Sequence, residues 1–195
     1  MSSNHPTMHT MEKQPAKFKP LKPILDYTLA ILAKREHSST EVRRKLTTKG
    51  YPKAEVAQTI QQMVEKNYIN DTRYAAARAR TRAQNSKWGQ GRIKQELSQN
   101  GIDKSTTTTT LDELSENHDW LATATRLLKV RFPKPLPSLS DLDPGLNRQD
   151  ALKDLQKEKA KRLNFLLRRG FTMGQSLQAL GLSQEDVTDD FTDTV

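Results

Sequence analysis

Between positions 72 and 95 the chain has no acidic residue and seven basic ones: Arg73, Arg78, Arg80, Arg82, Lys87, Arg92 and Lys94. Cations of this kind do no covalent chemistry alone. They bind polyanions, either nucleic-acid phosphates or an acidic protein surface. A merely solvated helix face usually mixes Glu with Lys to gain i,i+4 pairing, so an acid-free run points to a binding surface. Arg35, Arg43, Arg44 and Lys45 before this segment, and Arg162, Arg168 and Arg169 after it, complete the candidate set. Nothing catalytic accompanies them. There is no glycine-rich phosphate loop, no nucleophile–base pair of recognisable spacing and no metal-ligand cluster. His5 and His9 lack further ligands, His118 near Trp120 reads as an exposed or packing histidine rather than a ligand, and cysteine is absent. A non-enzyme without cofactor or metal is expected.

The elements that must carry these cations are helices. Ser38 and Glu41 have capping-box spacing, Val42 and Leu46 share one face, and Gly50 followed by Tyr51 is a helix stop. The same frame recurs as Ile93, Leu97, Gly101 and Ile102, and again as Leu166, Gly170 and Phe171, with Leu163 one place out of register. Past each glycine, Val56, Ile60 and Met63 correspond to Thr107, Leu111 and Leu114, while the third copy keeps Leu180. Three copies predict an all-α, elongated array of three tandem three-helix repeats. The repeats span residues 24–69, 70–117 and 118–182. The glycines lie 51 and then 69 residues apart, and the excess is about the length of a proline-bearing loop over 133–149.

Several local signals place the helices. Leu25, Leu29, Ile31 and Leu32 give the first an apolar face, and Pro52 opens the third. Asp71 is the expected N-cap of the fourth. On that helix Ala75, Ala79 and Ala83 form a smooth stripe, with Arg78 and Arg82 on one flank and Arg73 and Arg80 on the other. Trp88 and Gly89 mark the next turn. Residues 106–110 are five threonines, which propensity alone would allow as a strand; the repeat frame predicts a helix capped by Asp103.

The bulk composition fits thin modules better than one thick core: 34% of residues are hydrophobic and mean hydropathy is −0.81. Residues 1–23 hold four of the nine prolines and read as a disordered tail. The last residues, 183–195, read as an acidic tail with five carboxylates and no Lys or Arg, so the net charge of +9 conceals a body of +14. No apolar run approaches membrane length, and a soluble, cytoplasmic monomer with a polyanionic partner is expected.

These residues resemble the RecX family of regulators of the RecA recombinase. Lys34-Arg35-Glu36-His37-Ser38 with Glu41-Val42 and Lys45-Leu46 looks like its opening motif, and Tyr68-Ile69-Asn70-Asp71-Thr72-Arg73-Tyr74-Ala75 like its second. Gly91-Arg92-Ile93-Lys94-Gln95-Glu96-Leu97 with Gly101-Ile102 is similar to the third, and Phe165-Leu166-Leu167-Arg168-Arg169-Gly170-Phe171 to the fourth. Two departures stand out: Asn67 where the family tends to have glycine, and Asn100 where Lys is usual. The resemblance implies a protein that binds RecA filaments on DNA, lies in the filament groove, and suppresses filament growth, ATP hydrolysis, strand exchange and coprotease action. A direct DNA-binding protein of helix-turn-helix-like modules, with weak charge-driven contacts to single- or double-stranded DNA, is the alternative.

Overall fold

A computed structural model of the chain describes residues 22–137 and 148–183. Among them are nine helices and no strand: α1 (Ile24–Leu32), α2 (Ser39–Lys49), α3 (Lys53–Glu65), α4 (Asp71–Gln84), α5 (Gln90–Gln99), α6 (Lys104–Asn117), α7 (Trp120–Arg131), α8 (Arg148–Arg168) and α9 (Met173–Leu180). The main packing of each helix is within consecutive triplets: α1, α2 and α3, then α4, α5 and α6, then α7, α8 and α9. The two expected tails and most of the proline-bearing loop fall outside the described residues.

Local chemistry sets the helix ends. Ser38, Asn70, Asp103, Asp119 and Thr172 each accept a bond from the backbone N–H three residues on, satisfying a donor that the helix leaves free. Two expected details differ. Glu41 does not close a capping box, because its carboxylate turns to Arg35 at 2.9 Å. Asn70 rather than Asp71 caps α4; Asp71 instead accepts a bond from the Ser39 N–H at 2.8 Å, across the boundary between triplets. The threonine run is helical, with Thr107 and Thr110 buried and Asp103 bonded to Ser105 and Thr106. Those bonds hold the Asp103 carboxyl well below the usual carboxylate range.

The three middle helices end alike. Tyr51 N–H donates to Leu46 O, Ile102 N–H to Leu97 O and Phe171 N–H to Leu166 O, at 3.2, 3.1 and 3.2 Å. Each bond spans a glycine with positive φ: Gly50 at 101°, Gly101 at 79° and Gly170 at 88°. This is the Schellman stop, in which a left-handed residue lets the chain return to the last turn. The leucine under each stop is fully buried, and truncating such a side chain to alanine costs about 2–5 kcal/mol. Asn67 makes the same stop for α3, at φ 57°, with Tyr68 N–H donating to Met63 O. Asparagine serves there because, after glycine, it enters the left-handed region most readily.

The cores are two rather than three. Val42, Leu46, Val56, Ile60, Met63 and Ile69 form one within the first triplet. Tyr74, the alanine stripe, Ile93 and Leu97 form the other with Trp120, Ala124, Leu128, Leu166 and Phe171, so the second and third triplets share a single apolar interior.

The triplets meet by one device used twice. At the first joint, Ser38 Oγ donates to Asn100 O at 2.8 Å, and Thr40 lies against Gly101. At the second, Gly89 N–H donates to Arg169 O and Gly91 N–H to Gly170 O, both at 2.8 Å. Ser38 and Gly89 stand at equivalent positions of the repeat, as do Thr40 and Gly91. Each time, the start of one repeat's middle helix docks on the glycine stop of the next repeat's middle helix. At the second joint free N–H donors thus face free carbonyls, at the first the Ser38 hydroxyl is the donor, and at both the dipoles run head to tail.

Glycine substitutions should separate the stop from the joint. Gly50→Ala meets open space and should cost about 1 kcal/mol of backbone strain alone. Gly89 has an ordinary φ of −77°, yet a Cβ there would overlap the Gly170 backbone, so Gly89→Ala should cost about 1–3 kcal/mol through the joint alone. Gly170→Ala, strained and pressed on Arg92 N, should cost most. Urea unfolding of the three variants checks the order.

Candidate functional site

The fourteen cations singled out from the sequence divide into two groups. Arg35 pairs with Glu41, and Arg73 Nε with Glu36 at 2.5 Å, holding the first triplet to the second. Arg162 is nearly buried, bonded to Glu158 at 2.9 Å. Arg78 and Arg82 both close on Glu96, at 2.6 and 2.7 Å. These five are structural clamps. Glu96 is the first residue beyond the acid-free window, and the turn between α4 and α5 brings it back onto the arginines that the window leaves without an acid. Burial alone would raise the Glu96 pKa, but the bonds from Arg82 and Arg78 outweigh it and hold the carboxyl below its ordinary value.

Arg43, Arg44, Lys45, Arg80, Lys87, Arg92, Lys94 and Arg168 pair with no carboxylate among the described residues, and Arg169 bonds only the Ser86 carbonyl. Arg43 and Arg44 are exposed on α2, Arg80 on α4 and Lys94 on α5. Arg92, Arg168 and Arg169 converge at the second joint, because the start of α5 is bonded to the end of α8. There they line a depression of about 380 Å³ with Arg131 and Lys161. Phe132 and Phe165 form its apolar wall, edge to face at 5.6 Å.

Cation–π contacts hold these guanidinium groups in place. Arg82 and Arg92 both lie over the Trp88 ring, at 4.4 and 4.1 Å; Arg169 covers Phe165 at 5.2 Å, and Arg131 and Lys161 approach Phe132. Such packing lets like charges gather without carboxylates between them. With the rings occupied by cations, the surface offers charge and N–H donors to a polyanion rather than rings for bases to stack on. Arg131, Lys161 and the aromatic partners were missed in the sequence. The available signal was the adjacency of Arg131 to Phe132 and of Phe165 to Arg168-Arg169.

A tandem array of helical triplets with a cationic joint defines a helical-repeat protein with a surface suited to a polyanion, and the comparisons with known proteins narrow the class. Residues 25–63 match the family model described as RecX, first three-helix domain, and residues 70–111 match RecX, second three-helix domain. The Regulatory protein RecX of Vibrio parahaemolyticus is 31% identical over 158 residues, covering 81% of this chain and 90% of that protein. That of Halorhodospira halophila is 32% identical over 167 residues, covering 84% and 89%. The chain belongs to the RecX family. Two solved structures share the fold: a regulatory protein RecX with a TM-score of 0.59 at 19% identity, covering 81% of this chain and 70% of that one, and RecX from Lactobacillus salivarius with 0.57 at 23%, covering 81% and 94%. No helix among the described residues is long and apolar enough to cross a membrane.

The Glu96 clamp has a pH signature. A carboxyl whose folded pKa is depressed adds stability above its ordinary value of 4.5, and that stability is lost as pH falls through the folded pKa. Glu96→Gln should therefore lower stability near neutral pH by about 2 kcal/mol. The gap to wild type should narrow as pH drops below 4.5. Thermal unfolding across that range checks both the size and the sign.

Proposed function

We propose that the chain regulates RecA by binding RecA–DNA filaments. It lies in the filament groove across more than one protomer and opposes filament extension, ATP hydrolysis, strand exchange and coprotease action. Family membership supports this reading, since the relatives are regulatory proteins by name. The observation that carries it here is the spread of cations without acidic partners over α2, α4, α5 and α8, along the array rather than on one recognition helix. Several weak, tethered contacts give avidity only where partner sites recur at a matching spacing, which favours a filament over an isolated subunit. The candidate contacts are the cations without acidic partners, above all Arg92, Arg168 and Arg169.

The test is co-sedimentation with RecA filaments on single-stranded DNA, set against RecA alone and DNA alone. The filament should retain the chain at salt concentrations where the other two release it, and RecA ATP hydrolysis should fall at substoichiometric ratios. Arg92→Glu with Arg168→Glu should weaken filament binding by about tenfold or more with helicity unchanged, because both side chains are exposed and hold no acid. Equal retention on DNA alone would replace the filament reading with direct DNA binding.

A further inference from the structure

A second cationic cavity lies in the first triplet, away from the α5–α8 joint. Its volume is about 660 Å³, and no carboxylate among the described residues lines it. Lys22, Lys34, Lys45 and Lys49 reach it from three elements: the segment before α1, the end of α1, and α2. None of the four pairs with an acid among the described residues; Arg35, also at the rim, is neutralised by Glu41. The floor is apolar and aromatic. Ile31 is buried, and the Tyr27 and Tyr51 rings lie 6.0 Å apart and tilted, with Lys49 Nζ 6.0 Å above Tyr27. Tyr51 is fixed by its hydroxyl, which donates to Lys22 O at 2.8 Å.

The polar group that sets this cavity apart is His37. The residue is 2% exposed, and its Nδ1 lies 2.9 Å from Arg35 O. A carbonyl only accepts, so Nδ1 carries the proton and Nε2 is left with no partner. The ring lines the cavity. A held imidazole therefore stands among four ammonium groups over an aromatic floor. An ion pair does not explain this arrangement, because none of the four lysines meets an acid among the described residues. The fold places these cations where they repel one another and a polyvalent anion would relieve them.

We infer that this cavity binds a nucleotide unit, its phosphates held by Lys34, Lys45 and Lys49 and its base packed on the Tyr27 ring, which the buried Tyr51 backs. Lysine is a point-charge donor suited to phosphate oxygens, and the half-buried Tyr27 ring suits a planar base once Lys49 turns from it to a phosphate. A carboxylate peptide would use the rim and leave the floor idle. The unit can come from a free nucleotide or from a nucleic-acid strand, which share this chemistry. The inference is independent of RecA regulation, and its test uses no RecA.

The experiment is isothermal titration of the full chain with ADP and, separately, with a short 5′-phosphorylated oligothymidylate. Polyglutamate serves as a competitor, and proton NMR follows the His37 ring. Binding of ADP alone identifies a free-nucleotide site; binding of the oligothymidylate, with or without ADP, identifies a strand site. In either case Lys45→Gln with Lys49→Gln should weaken binding by about tenfold with helicity intact. Arg92→Glu with Arg168→Glu should leave ADP binding unchanged, and the His37 signals should shift on saturation. The inference is overturned if neither ligand binds, if the lysine variant binds as wild type, or if polyglutamate displaces the ligand at equal charge concentration.

Discussion

The bond on which the rest depends joins the first turn of one repeat's middle helix to the last carbonyls of the next. A helix start has free donors and a helix end has free acceptors, and water or another group must satisfy both. In this chain the Gly89 and Gly91 amides donate directly to such carbonyls at the second joint, and the Ser38 hydroxyl donates to one at the first. The contact needs close approach, which explains glycine or a small residue on both sides. Gly170 lies against Arg92 backbone, and Gly89 against Gly170. The left-handed stop and the close approach are separate demands that one glycine meets together.

Where the joints differ, the charges differ too. The second joint is backed by a shared apolar core, so its rim is free to gather unpaired arginines over Trp88, Phe132 and Phe165. The first has separate cores on its two sides and relies on polar contacts, Arg73 with Glu36 and Asp71 with Ser39 N–H. Arg73 is consequently tied up as a fastener at the first joint. The binding surface proposed at the second joint therefore follows from packing as much as from net charge.

Much of the fold was legible because the repeat signals are local. The glycine stops, the leucine four residues earlier and the apolar positions that follow are read one helix at a time, and even the threonine run yielded to the repeat frame. The candidate site was only partly legible. Counting acids along the chain left Arg78 and Arg82 free, whereas Glu96 reaches both through a turn. Glu41 had two uses compatible with its spacing, and the fold chose the ion pair. The merging of two cores, and the arrival of Arg131 and Lys161 beside Arg92, depend on contacts between distant segments that periodicity does not encode.

The proposed filament role is tested most directly by an image reconstruction of RecA filaments on single-stranded DNA decorated with this chain. The account predicts density in the filament groove spanning more than one protomer, with the α5–α8 joint and Arg92 and Arg168 turned toward the filament. Density confined to a single protomer, or a chain bound with that joint facing solvent, would contradict it.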